Sequence, residues 1–343
     1  RSKRYIYGTG THVPFIVRIP EKFRAMYPSK QTGSKIDRLV SFVDLAPTLL
    51  SMVNLEKPDY MQGDAFLGKF ASPEPDYVYM FRDRMDERYD MSRAIVDKEF
   101  RYIRNYNPNR IWMQALEYLW RAPSMQSWER AYREGTCDEI QARFWKEKPF
   151  EELYDIKNDP WEVNNLVDKP EYVQILLGMR AACNAYGRSI YDAGFIPESD
   201  RIQRAGNTPV YDYVRSISTP YNAIVDAAQL AVEADPANLS QLMAMLENED
   251  SAIRYWAAMG LLYLGEQARS AMPQLQKATL DASFNVCTVA AEALYKLGDV
   301  ENARQAYLRV LQSNDIMART HALNSIDHMN DSSDTVINDC KHN

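Results

Sequence analysis

Apolar and polar positions alternate in three different rhythms along this chain, and each rhythm predicts a different kind of element. Residues 13–20 (Val13, Pro14, Phe15, Ile16, Val17, Arg18, Ile19, Pro20) form a short apolar run closed by prolines, which predicts a buried strand of an α/β sheet. Over residues 41–53 the spacing turns helical. Pro47 suits a first helical turn, and Leu49, Leu50 and Val53 supply one apolar face. Residues 77–81, 92–96 and 100–106 are rich in aromatic and β-branched side chains, with Asp97, Lys98 and Glu99 as a hairpin turn between the last two. They predict a small antiparallel sheet. Mixed aromatic and charged residues from Ile111 to Phe150 predict helices and loops packed over it.

Beyond Pro197 a polar linker is expected to about Pro220, after which the chain is rich in Ala and Leu at helical spacing. Leu239, Leu242, Met243 and Leu246 make one stripe, and Ala303, Ala306, Tyr307 and Val310 another. The region repeats itself. Ala257, Leu261, Leu264 and Gly265 recur as Ala290, Leu294, Leu297 and Gly298, then as Ala322, Ile326, Met329 and Asn330, at a period of about 32 residues. Acidic or amide-rich turns at 248–250, 281–283 and 313–315 precede each copy. One helix pair cannot bury its own apolar face and stacking completes the core, so an α-solenoid is expected, one that resembles HEAT repeats. The chain thus divides into 1–70 (end of an α/β core), 71–197 (a smaller subdomain), 198–220 (linker), 221–330 (helical repeats) and 331–343 (a polar tail expected to be disordered).

With 343 residues and 46% hydrophobic content, two domains can each bury a core. A formal net charge of -7 gives no basic field of the kind nucleic-acid binding needs, so a bound anion must be held by local Arg and Lys clusters. Cys137, Cys183, Cys287 and Cys340 show no CxxC spacing, which points to buried thiols, with a Cys137–Cys183 pair left open. No run of about 18 apolar residues could span a membrane. The start at Arg1-Ser2-Lys3, without initiator Met or apolar leader, reads as an interior point of a longer protein.

The first candidate for chemistry is residues 3–14, where Lys3, Arg4 and His12 surround Gly8 and Gly10 ahead of the expected strand. A basic surface turn with an incidental His is the plain alternative. This stretch resembles the sulfatase segment K-x-x-x-Y-E-G-G-x-R-x-P through Lys3, Tyr7, Gly10 and Pro14, with His12 where Arg is common and Gly8-Thr9 replacing Glu-Gly. Residues 39–50 are similar to that family's S-x-x-D-[LI]-x-P-T-[LI]-L stretch. Residues 151–166 are similar to its E-L-Y-D-L-x-x-D-P-x-E-x-x-N-L ending. The resemblance covers about residues 1–197. In the second and third segments a structural role is expected, Asp44 capping its helix and the Leu153-Tyr154-Asp155 strand closing the small sheet.

The resemblance implies sulfate-ester hydrolysis, on a sulfated small molecule or carbohydrate, by a formylglycine nucleophile with calcium on the sulfate oxygens. None of the four cysteines stands in a Cys-x-Pro/Ala-x-Arg motif, so the nucleophile and all metal ligands are expected upstream of Arg1, and the chain alone is expected to be inactive. What the resemblance leaves in this chain is Lys3, as a cation on the sulfate and the leaving oxygen, with His12 assisting substrate binding. The charged run 81–90 offers Arg82 and Arg84 as a fork for a sugar carboxylate or second sulfate, against a solvated, internally paired loop. Export to the periplasm or cell exterior is expected from the family. Two alternatives stay open: a phosphate or phosphonate ester hydrolase of the same superfamily, and a protein-interaction module in which Trp256 and Tyr263 line the face of the repeats, although residues at such helical spacing more often belong to the core.

Overall fold

The computed structural model describes residues 4–29, 31–216 and 219–330, so Lys3, Cys340 and the polar tail lie outside the described residues. Contacts divide the chain into two compact units that interleave along the sequence. One takes the stretch ending at Arg82 together with Ser92–Arg104 and Glu151–Tyr186. The other takes Asp83–Met91, Asn105–Phe150 and the residues from Gly187 onward. The sequence reading instead cuts the chain at 70, 197 and 220. The units differ because contacts, not chain order, define a compact body.

In the first unit lies a four-stranded sheet in the order β1 (Val78–Arg82), β2 (Ser92–Val96), β3 (Phe100–Asn105), β4 (Glu151–Asp155). β1 pairs antiparallel with β2, and β3 with β4. The turn between β2 and β3 is the expected one: the Asp97 carboxylate accepts from the N–H groups of Glu99 and Phe100. Because side chains alternate across a strand, each strand feeds two faces. One face presents Ile95, Tyr102 and Leu153 to Leu176, Met179 and Cys183 of the helix Val173–Ser189. The other carries Arg82, Arg101, Glu152 and Tyr154, and it receives residues 4–8.

The expected strand at 13–20 does not form. No strand occurs among the described residues before Val78, and Ile16 is 92% exposed, with Val13, Phe15 and Val17 also exposed. A strand is made by the neighbours that pair its backbone, and hydrophobicity alone supplies none. The helix at 41–53 forms as Leu45–Met52. The expected cap from Asp44 is absent: its carboxylate makes no bond to the first turn of this helix and accepts instead from Ser41 N–H at 2.9 Å, across the preceding turn, and from Asp64 N–H at 3.0 Å.

The second unit is helical. Ser251–Leu264, Phe284–Lys296 and Ile316–His328 carry the three copies of the repeated pattern, and the copies' Ala257, Leu261, Ala290, Leu294, Ala322 and Ile326 are buried. The preceding turns supply N-caps: Asp250 accepts from Ala252 N–H, Ser283 from Val286 N–H and Asp315 from Ala318 N–H. Gly265, Gly298 and Asn330 after the helices share positive φ (54°, 93° and 54°), a backbone state that Asn tolerates better than most residues. Trp256 is buried with its indole N–H on Phe195 O, and Tyr263 donates to Tyr106 O, so both serve the core.

The expected linker is not one. It contains the helices Glu198–Ala205 and Val210–Val214. Their polar residues look like linker in sequence because they face other polar groups. Asp200 is buried and accepts from Ser251 Oγ, from Ser283 Oγ at 2.7 Å and from Asn285 Nδ2 at 2.8 Å, while Ser199 donates to Asp315. The first of the two helices therefore lies against the N-terminal ends of all three repeat helices. Cys137 and Cys287 are free thiols, so no Cys137–Cys183 disulfide is present.

Candidate functional site

Tyr5, Ile6 and Tyr7 are buried, which fixes the segment that leads from Arg4 to the short helix Gly8–Thr11. Four side chains from the sheet and its ending hold it. Arg82 at the end of β1 donates from Nη1 to Arg4 O at 3.1 Å, and its guanidinium stacks over the Tyr5 ring with 4.3 Å to the centroid. Arg101 on β3 donates from Nη1 to Ile6 O at 2.9 Å. Glu152 on β4 accepts from the Tyr7 hydroxyl at 2.7 Å and from the Tyr154 hydroxyl at 2.6 Å. Glu162 accepts from Gly8 N–H at 2.6 Å.

Arg101 and Glu162 form one ion pair, Nε to Oε1 at 2.5 Å, with side chains only 4% and 1% exposed. The pair therefore grips the chain on both sides of Tyr7, through the carbonyl before it and the N–H after it. Glycine at position 8 is part of the fit, since a Cβ there would stand 3.2 Å from Glu162 Oε2. Glu162 itself has φ 54°, a strained value for an acidic side chain. Beyond the clamp, Thr11 Oγ1 donates to Tyr7 O and His12 N–H to Gly8 O at 2.9 Å, leaving His12 exposed.

On the opposite face of the sheet, Glu151 takes Arg104 at 2.8 Å and Arg180 at 2.6 Å and accepts from the Tyr102 hydroxyl. Burial pushes the Glu151 carboxyl up, and these partners outweigh it, so its pKa lies below the ordinary value. Burial raises the Tyr102 hydroxyl well above its ordinary range.

The residues singled out in sequence are thus distributed unevenly. Arg82 reaches the segment next to Lys3, but as a buried holder of backbone. Arg84 belongs to the other unit and is engaged by Glu198, Nη2 to Oε2 at 2.6 Å, with Nε on the same carboxylate. His12 stands exposed at the end of the clamped segment. Glu152, Glu162 and Arg101 escaped the sequence reading as holders of the first motif. The available signal was an acid beside an apolar strand, Glu152, and another in the Asp-Pro-x-Glu step that follows it, Glu162. Among the described residues no group of three or more His, Cys, Asp or Glu side chains could hold a metal ion, so the calcium implied by the resemblance has no matching donor set there.

Residues 2–116 match the family model of the C-terminal part of N-sulphoglucosamine sulphohydrolase. The chain is 40% identical, over 60% of its own length and 34% of the other's, to an ulvan-active sulfatase of Formosa agariphila. It is 27% identical to an N-acetylglucosamine-6-O-sulfatase of Bacteroides thetaiotaomicron, over 50% of this chain and 24% of that one. Human N-sulphoglucosamine sulphohydrolase is 26% identical over 51% of this chain and 36% of its own. The chain spans about a third or less of the length of these relatives. Over its first part, which contains the clamped segment, this chain is similar to the C-terminal region of sulfatases.

Proposed function

We propose that this chain is the C-terminal portion of a sulfatase that removes sulfate from a sulfated carbohydrate. The observation that supports this most is the joining of two separated motifs: Glu152 and Glu162 of the last motif hold Tyr7 and Gly8 of the first. That arrangement makes sense if residues 3–12 must present groups in fixed positions. Lys3, immediately before the held Arg4, would stabilise charge on the sulfate and the leaving oxygen, and His12 would meet the substrate. The names of the relatives, an ulvan-active sulfatase and an N-acetylglucosamine-6-O-sulfatase among them, favour a sulfated carbohydrate as substrate, and export to the periplasm or cell exterior belongs to the same proposal.

The nucleophile, formylglycine in this reading, and the calcium ligands would lie outside this chain. The apolar side chains left exposed at Phe15, Ile16, Val17, Phe42 and Leu49 would then be covered by the remainder of the enzyme. Arg84, engaged by Glu198, would enter only as a minor contact, and the helical region would be a HEAT-like support. The helix Glu198–Ala205 already occupies one edge of those repeats, which argues against an open partner site there.

The test is turnover of a sulfated oligosaccharide by a full-length enzyme carrying this region. Lys3→Ala is expected to lower the rate about 100-fold or more, the scale of one lost transition-state contact. The 343-residue chain alone is expected to show no turnover above its own Lys3→Ala control. Preference for the matching phosphate ester would favour the phosphatase alternative instead.

A further inference from the structure

We infer that Glu162, through its ion pair with Arg101, is a positioning residue for Lys3, acting through the held stretch 4–8 that follows it. The inference rests on the sulfatase reading of Lys3. Three features support it. First, the pair spends its polar groups on backbone: Arg101 on Ile6 O and Glu162 on Gly8 N–H. A structural ion pair that served only packing would not need to bracket one residue of a loop. Second, the pair is nearly fully buried, so its geometry is stiff and weakly screened. Third, what lies at both ends of the bracketed stretch is chemistry. Lys3 is one peptide unit before Arg4, whose carbonyl Arg82 holds, and His12 donates its N–H to Gly8 O.

A cation that must sit on a leaving oxygen loses most of its effect when displaced by about 1 Å, which can cost on the order of 100-fold in rate. Glu162 therefore acts on the reaction without touching substrate. In Glu162→Gln the acceptor for Gly8 N–H is kept and the charge opposite Arg101 is lost. Glu162→Asp keeps the charge and shortens the reach by one methylene.

The experiment is a double-mutant cycle in a full-length enzyme carrying this region, with a sulfated oligosaccharide as substrate. Glu162→Gln is expected to lower kcat about 10- to 100-fold, and Glu162→Asp to recover part of it. Combined with Lys3→Ala, Glu162→Gln is expected to add no further loss, because it acts through the same side chain. Losses that multiply in the double variant overturn the inference while leaving Lys3 in the site. An unchanged rate in Lys3→Ala overturns the sulfatase reading of Lys3 and the inference with it. If Glu162→Gln fails to fold by circular dichroism, Arg101→Lys serves in its place. That variant keeps both charges and gives up the second arm of the fork to Ile6 O. Full activity in a folded Arg101→Lys variant whose Ile6–Thr11 amides exchange faster than in the parent also overturns the inference.

Discussion

Each unit buries an acid against an arginine, and the two pairs are used differently. In the sheet unit, Glu162 and Arg101 bind backbone of a segment that ends at the exposed His12. In the helical unit, Glu292 takes both arms of Arg110 at 2.6 and 2.5 Å, together with Asn109 Nδ2 at 3.1 Å and Ser325 Oγ at 2.6 Å. Those partners are side chains on neighbouring elements rather than the backbone of one segment. A buried ion pair is thus no sign of function by itself. What it holds decides the matter.

The electrostatics of the helical pair fit a purely structural part. Burial pushes the Glu292 carboxyl up, but the Arg110 charge and the hydrogen bonds from Arg110 and Ser325 hold it down at about 2. The same burial, with Arg110 nearby, lowers His321 and His328 to about 4, so both stay neutral near pH 7.

The largest effect that tests this contrast is expected from Glu292→Ala, which leaves Arg110 buried without its carboxylate. Unfolding by denaturant should show a loss of about 3–5 kcal/mol. Turnover of a full-length enzyme, measured where the variant is folded, should be unchanged. A fall in turnover as large as that of Glu162→Gln would erase the distinction between the two pairs.

Acid comes next. The unfolded chain protonates its histidines near pH 6.5, whereas folded His321 and His328 take protons only near pH 4. Between those values the unfolded state binds more protons, so stability falls as the pH is lowered, by on the order of 3 kcal/mol for each histidine. Below pH 4 the histidines add nothing further, and the contribution of Glu292 is lost as its own carboxyl protonates between about pH 4.5 and 2. Melting curves from pH 7 to 4 check this. His321→Gln with His328→Gln should flatten the slope, and an unchanged slope would place the acid sensitivity elsewhere.

A smaller effect is expected from Tyr7→Phe, which removes one donor from Glu152 and leaves Tyr154 on the same carboxylate. The cost in stability should be about 1–2 kcal/mol, with amide exchange of residues 4–8 increased. Exchange that rises equally across β3 and β4 would mean that the sheet, rather than the segment, depends on Tyr7. The smallest effect is reserved for the exposed pair of Lys157 and Glu99, where Lys157→Ala should leave the melting temperature unchanged.

Local patterns that carry their own backbone solution were readable in advance. Alternation in β1 to β3, the Asp97 turn, the Pro47 helix and the repeat with its capped turns each satisfy hydrogen bonds among near neighbours. Trp256 and Tyr263, by contrast, bond to carbonyls 61 and 157 positions away, Phe195 O and Tyr106 O, and these long-range partners tie them to the core. The stretch 13–20 and the helix Glu198–Ala205 were misread for one reason. A strand depends on distant partners, and a polar helix is buried only because Asp200 meets Ser283 and Asn285. Both facts are long-range.

The sequence by itself determined the motifs, their order and the element types within each local window, because these follow from periodicity and from residue-specific turn and cap chemistry. Only the tertiary structure decided what Arg82, Arg101, Glu152 and Glu162 are for. Arg82, Arg101 and Glu162 bind backbone groups 78 to 154 positions away and Glu152 a hydroxyl 145 positions away, and no spacing in the chain encodes a bond to a carbonyl or an N–H that every residue carries alike.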